Sequence, residues 1–220
     1  MSQTEGTIQF AYQLTHAEDV PMGVTQFANL AAWRSILFEL QLLGQMATKY
    51  EGFAFGNISV RCQDAPGFII TASQTSGETQ LHRNHLVHIK SCNLPRFWVD
   101  ASGQEPPSSE SLTHAMIYAA DANIKCIFHA HNQVIWENRT QLNLPETAAD
   151  VGYGSPQMAE AVRELMQSHP TRPLTFATAG HEDGLFACGQ TPHDSGGLLV
   201  NYLAQARSRA NGLSAQSFGP

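Results

Sequence analysis

The chain has 220 residues, a formal net charge of -7 and 42% hydrophobic residues, enough for one sizeable core. With only 12 Lys+Arg and no basic run, the composition argues against a broad nucleic-acid surface and a membrane-surface patch. No stretch is long and apolar enough to cross a bilayer, and the polar start "MSQTEGTIQF" lacks the pattern of a signal peptide, so a cytoplasmic protein is expected. Cys62, Cys92, Cys126 and Cys188 stand far apart without a CxxC pair and read as reduced packing thiols.

In chain order, Phe27, Leu30, Ala31, Ile36, Leu37, Leu40 and Leu43 recur at helical spacing and predict a long helix from about Val24 to Tyr50. Short strand-like pieces follow, "NISVRC" (57–62), "GFIITA" (67–72) and "LVHIK" (86–90), split by turn residues, which suits an antiparallel meander. "DASGQEPPSSE" (100–110) reads as a loop leading into the helix "SLTHAMIYAADA". An apolar strand then ends in "FHAHN" (128–132), and a helix fits 155–169 with Pro156 in its first turn. Strands at 174–178 and 184–188 flank "AGHEDG", and a last helix covers about 194–209. With no repeat or linker, one α/β domain over 1–220 is expected, with short flexible ends.

Side chains two apart on a strand leave the same face, so His129 and His131 can meet one metal ion. An isolated HxH pair is more readily a pair of surface or packing histidines than a metal site, and a site needs a third ligand. His181, in a Gly-flanked turn between two strands, is the first choice and Asp183 the second. His82, His85 and His88 are spaced by three, which does not converge from a strand, and read as solvated or structural. Ser108 and Ser109 precede a helix, where hydroxyls and amides can meet an anion. Glu110 beside them either favours the helix dipole or, near a metal, moves a proton, and His114 one turn later suits packing behind it.

"GNISVR", "IITASQ", "PSSESLTHAMIY", "IFHAH" and "GHEDGLFACG" occur in the order and at roughly the spacing of the class II aldolase/adducin family, which the chain resembles over about residues 25–208. The resemblance implies a three-layer α/β/α sandwich with a mainly antiparallel central sheet, assembled as a homotetramer. It implies a zinc site at His129, His131 and His181, with manganese or cobalt as alternative ions, and Glu110 as the catalytic acid/base. Asn57, Ser73, Ser108 and Ser109 would hold a substrate phosphate. The expected activity is that of a lyase on a small sugar or sugar phosphate, working through a metal-stabilised enediolate. Dehydratases and epimerases of the family share that strategy, and its adducin branch works through protein contacts instead.

The sequence departs from the family pattern in three places. Gln74 stands where the family's T-P-[ST]-G segment has glycine, which leaves a carboxylate or neutral polyol open beside phosphate as the ligand. Alignment on Gly184 would put Asp183 rather than His181 in the ligand position. The segment after the HxH strand is short, so the tyrosine that family aldolases take from a neighbouring subunit has no counterpart; Tyr153 fits a substrate-facing aromatic better. A cupin reading, built on HxH followed by Glu137, would want a glycine where Asn123 stands and almost no helix.

Overall fold

The computed structural model describes residues 6–152 and 155–210; Tyr153 and the expected flexible ends, 1–5 and 211–220, lie outside the described residues. Helix α1 spans Val24–Glu39 and stops eleven residues short of the predicted end at Tyr50. The reason is local. Gln41 takes φ 58, its N–H reaches Phe38 O at 3.0 Å, and Leu42 N–H reaches Leu37 O at 2.9 Å. That double closure with a left-handed residue ends a helix whatever apolar spacing follows. Leu42 and Leu43 are buried all the same, from the loop.

The strands are β1 (Ala11–His16), β2 (Gly44–Gln45), β3 (Ala54–Phe55), β4 (Asn57–Arg61), β5 (Phe68–Thr71), β6 (Leu86–Asn93), β7 (Trp98–Gly103), β8 (Cys126–His131), β9 (Glu146–Thr147), β10 (Leu174–Thr178) and β11 (Gly184–Gly189). The later helices are α2 (Ser111–Ala120), α3 (Gln133–Glu137), α4 (Pro156–Ser168) and α5 (Pro192–Ala210). Nine strands form one sheet in the order β1-β7-β6-β5-β4-β8-β11-β10-β9, while β2 and β3 pair separately. The expected meander β4-β5-β6 is antiparallel throughout, and β7 extends it in the same sense. The sheet as a whole is mixed, because both outer strands run parallel to their neighbours: β1 to β7 and β9 to β10. Asp100–Gly103, expected as loop, belong to β7.

Alternation along the strands builds the two outer layers. Cys126, Phe128 and Ala130 of β8 join Leu30 and Leu37 of α1, Ile135 of α3 and Leu199 and Leu203 of α5 in one core. Ile127 of β8 and Phe186 of β11 join Leu112 and Ile117 of α2 and Val162 and Leu165 of α4 in the other. This is the expected α/β/α sandwich. It puts His129 and His131, in step with Ile127, on the face covered by α2.

Candidate active site

His129 and His131 are buried at the end of β8, between β4 and β11. The register sets Asn57 on one side of His129 and Phe186 on the other, and Gly184 beside His131. Phe186 stacks on the His129 ring with centroids 4.2 Å apart. His129 Nδ1 lies 3.0 Å from Leu185 O. A carbonyl only accepts, so Nδ1 carries the ring's proton and the neutral ring turns the lone pair of Nε2 to the other side. That Nε2 is 3.1 Å from His131 Nε2.

The third member comes from the turn between β10 and β11. His181 N–H bonds Thr178 O and Gly184 N–H bonds His181 O, each at 3.1 Å, which curls the turn back over the sheet edge. A side chain at Gly184 would bring a Cβ within 2.3 Å of Thr178 Oγ1 and 3.1 Å of His181 Nδ1, so the histidine can stand there only next to a glycine. His129, His131 and His181 each offer one nitrogen, all within 4.8 Å of one another. Burial first, then the neighbouring His181, holds the His129 and His131 rings well below the usual imidazole range. They are therefore neutral, the form that binds a metal.

Glu110 precedes α2 as its N-cap residue, without capping it by its side chain. It is buried, with Oε1 3.8 Å from His129 Nε2 and 3.9 Å from His181 Nδ1. Ser108 organises this entry: its carbonyl accepts from Ser111 N–H and Oγ–H, and its Oγ accepts from Glu110 N–H at 3.3 Å. Ser73 N–H bonds Pro106 O at 3.0 Å, and Thr71 Oγ1 accepts from Ile58 N–H at 3.2 Å. These bonds tie the segments of Asn57, Ser73, Ser108 and Ser109 to one another. Asn57 Oδ1 is buried with no hydrogen-bond partner among the described residues. Gln74, in the place of the family glycine, adopts the left-handed conformation that glycine favours, with φ 60, while its Oε1 is taken by Ala54 N–H at 2.9 Å.

Asp183 is not a member of the histidine cluster. It sits two residues on with φ 63, its Oδ2 accepts from Tyr50 Oη–H at 2.8 Å, and Lys49 Nζ lies 3.7 Å from the same oxygen. Tyr50 packs edge-on against His131, with centroids 4.9 Å apart. The sequence offers no motif for this contact, which joins residues 133 apart. His88 is buried and structural, its Nε2 donating to Pro66 O at 2.8 Å, and the exposed His82 and half-buried His85 bond each other. His114 is packed behind the site, Nδ1 to Ser59 Oγ at 2.7 Å. Glu137 lies on α3, where it accepts from Gln133 at 2.9 Å; the helices α1 to α5 and the mixed sheet exclude the cupin reading. Burial pushes the Cys188 thiol up to about 12, so it is a packing group and not a nucleophile.

The family model of the Class II Aldolase and Adducin N-terminal domain matches residues 45–205. The chain belongs to that family. L-fuculose-1-phosphate aldolase from Thermus thermophilus shares the fold of this class II aldolase-family protein with a TM-score of 0.66 at 20% identity, over 90% of this chain and 99% of that one. A sugar-phosphate aldolase from Thermotoga maritima superposes with a TM-score of 0.63 at 16% identity, over 86% and 94% of the two chains. The N-terminal class II aldolase domain of a conserved Thermoplasma acidophilum protein does so at 0.59 and 13%, over 86% and 95%. No curated protein sequence matches the chain significantly.

Proposed function

We propose that the protein is a metal-dependent lyase of the aldolase type, acting on a small sugar or sugar phosphate. The observation that carries this reading is the convergence of three buried histidine nitrogens with a buried carboxylate beside two of the rings. The donor set fits a divalent ion: the His129 tautomer is fixed by Leu185 O, its Nε2 faces the cluster, and imidazole suits zinc, with manganese and cobalt as the alternatives to test. His129, His131 and His181 would hold the ion, which supplies a Lewis acid for negative charge that develops on substrate oxygens.

The chain's own residues do the rest. Glu110 takes or returns a proton at the substrate carbon next to the carbonyl, from a position set by Ser108 and the start of α2. Asn57, Ser73, Ser108 and Ser109 bind the anionic or polyol end, and the buried Oδ1 of Asn57 is the acceptor available to a hydroxyl there. Burial of both β8 histidines keeps water from competing for the cluster. The names of the structural neighbours, a fuculose-phosphate aldolase and a sugar-phosphate aldolase, support the substrate class; a homotetramer is what the family resemblance implies, and a cytoplasmic location rests on the sequence. The histidine cluster favours an enzyme over an adducin-like interaction protein.

The test is a panel of ketose and aldose phosphates and free sugars, assayed with zinc, manganese and cobalt on protein purified without a His-tag. Aldol cleavage, dehydration and epimerisation give different products and are told apart directly. Tightly bound divalent metal and turnover lost in His129→Ala are expected. A metal-free protein whose activity ignores His129→Ala would overturn the reading.

A further inference from the structure

Aldol cleavage moves two protons at two different substrate atoms. One reaches the carbon next to the ketone; the other leaves the hydroxyl on the carbon that becomes a carbonyl. Glu110 stands at the His129 and His181 edge of the cluster and can serve one of them. On the His131 edge stands Tyr50, ring centroids 4.9 Å apart, and Phe55 packs on both rings at 5.1 and 5.8 Å. Asp183 Oδ2 accepts the Tyr50 hydroxyl at 2.8 Å, and Lys49 Nζ lies 3.7 Å from that carboxylate oxygen. Asp183 is fixed in turn, since its carbonyl accepts Asn132 N–H at 2.9 Å. Tyr50 and Glu51 hold φ values of 50 and 56, left-handed conformations that cost non-glycine residues energy and persist where surrounding contacts impose them.

We infer that Tyr50, held by Asp183, is a second catalytic residue, which receives the proton of the substrate hydroxyl at the carbon where the bond is cut. This rests on the aldolase reading above. The Tyr50 O–H donates to Asp183, and a phenolic oxygen that donates can also accept from a hydroxyl. In cleavage the substrate proton passes to Tyr50 Oη as the tyrosine proton passes to Asp183. The O–H pair becomes the new C=O bond, and the C–C pair stays on the carbon next to the ketone. Glu110, protonated, gives that carbon its proton. Asp183 gains one proton and Glu110 loses one, and solvent restores both; condensation runs the same transfers backwards. The residue comes from this chain's own loop, whereas the aldolases that the sequence resembles take a tyrosine from a neighbouring subunit.

The experiment uses the metal-loaded full chain with dihydroxyacetone phosphate as donor probe in D2O and glycolaldehyde or lactaldehyde as acceptor. Donor deuteration needs only the proton transfer at carbon; condensation needs Tyr50 as well. Tyr50→Phe and Asp183→Asn are expected to keep bound metal and donor deuteration while condensation falls on the order of 100-fold or more. The double variant should be no slower than the slower single one, because both break one relay. Condensation at the wild-type rate in Tyr50→Phe would overturn the relay alone. Loss of metal from Asp183→Asn would also overturn it, by making Asp183 a ligand. A wild-type protein that neither deuterates the donor nor condenses it overturns the aldolase reading itself.

Discussion

Glu110 is the residue whose replacement separates holding a metal from doing chemistry. The group of converging donors comprises His129, His131 and His181 without Glu110, whose Oε1 lies 3.8 Å from His129 Nε2 and 3.9 Å from His181 Nδ1. Glu110→Gln should therefore retain bound metal, measured by inductively coupled plasma mass spectrometry, and lose about 10²- to 10⁴-fold in turnover. Gly184 gives the complementary case. In Gly184→Ala the added Cβ meets Thr178 Oγ1 at 2.3 Å and crowds the His181 ring, so metal should be lost along with about 1–3 kcal/mol of stability. Unchanged metal affinity would show that His181 is not positioned by this contact. At this scale the sequence was informative where chemistry repeats a spacing: HxH on a strand, Glu110 after two serines, a histidine in a glycine-bound turn. The sequence ranked His181 before Asp183 without separating them by geometry, since both lie in one turn; in the fold His181 joins the β8 histidines while Asp183 bonds Tyr50. Tyr50 was illegible, since nothing in "TKYEG" announces a contact with Asp183.

Elements were legible where one face is buried and became obscure where periodicity and packing part company. The end of α1 is such a place: the apolar repeat runs on through Leu40, Leu42 and Leu43, but a left-handed Gln41 stops the helix. Strand β1 has five exposed positions among its six residues, so it carries no alternation to read, and β9 has only two residues. Within α1, Ile36 is 41% exposed while Arg34 is buried, the reverse of what hydrophobic spacing predicts. Arg34 Nη2 donates to Ser76 O at 2.8 Å and its guanidinium stacks over Phe38 at 4.8 Å, which fastens the turn after β5 to the helix. Arg34→Met should cost about 1–3 kcal/mol, read as a lower urea midpoint, by leaving a buried carbonyl unpaired. An unchanged midpoint would mean that the turn holds itself.

Over the whole molecule, two cores on opposite faces of one sheet fix the strand ends that carry the site. Phe128, next to His129 in β8, is fully buried on the other face, and Phe128→Ala should cost about 3–5 kcal/mol in chemical denaturation. Acid should destabilise the metal-free fold as well. Burial holds His114 down to about 3 against 6.5 for a free ring, so the folded ring stays neutral while the unfolded one takes a proton. The stability it contributes is complete above pH 6.5 and falls as pH drops towards 3, by about 1.4 kcal/mol per unit for one ring. His129 and His131 act in the same direction. Urea midpoints in chelator at pH 7 and pH 5 check this, and His114→Gln should show the smaller difference. Equal midpoints for the unaltered protein at both pH values would contradict it.

The most direct test of the account is anomalous diffraction at a metal edge, from crystals of untagged protein grown with zinc. The account predicts one ion bound by His129, His131 and His181, at roughly 2.0–2.1 Å from their nitrogens, with Glu110 outside bonding distance. No ion at that position, or an ion held elsewhere in the chain, would contradict it.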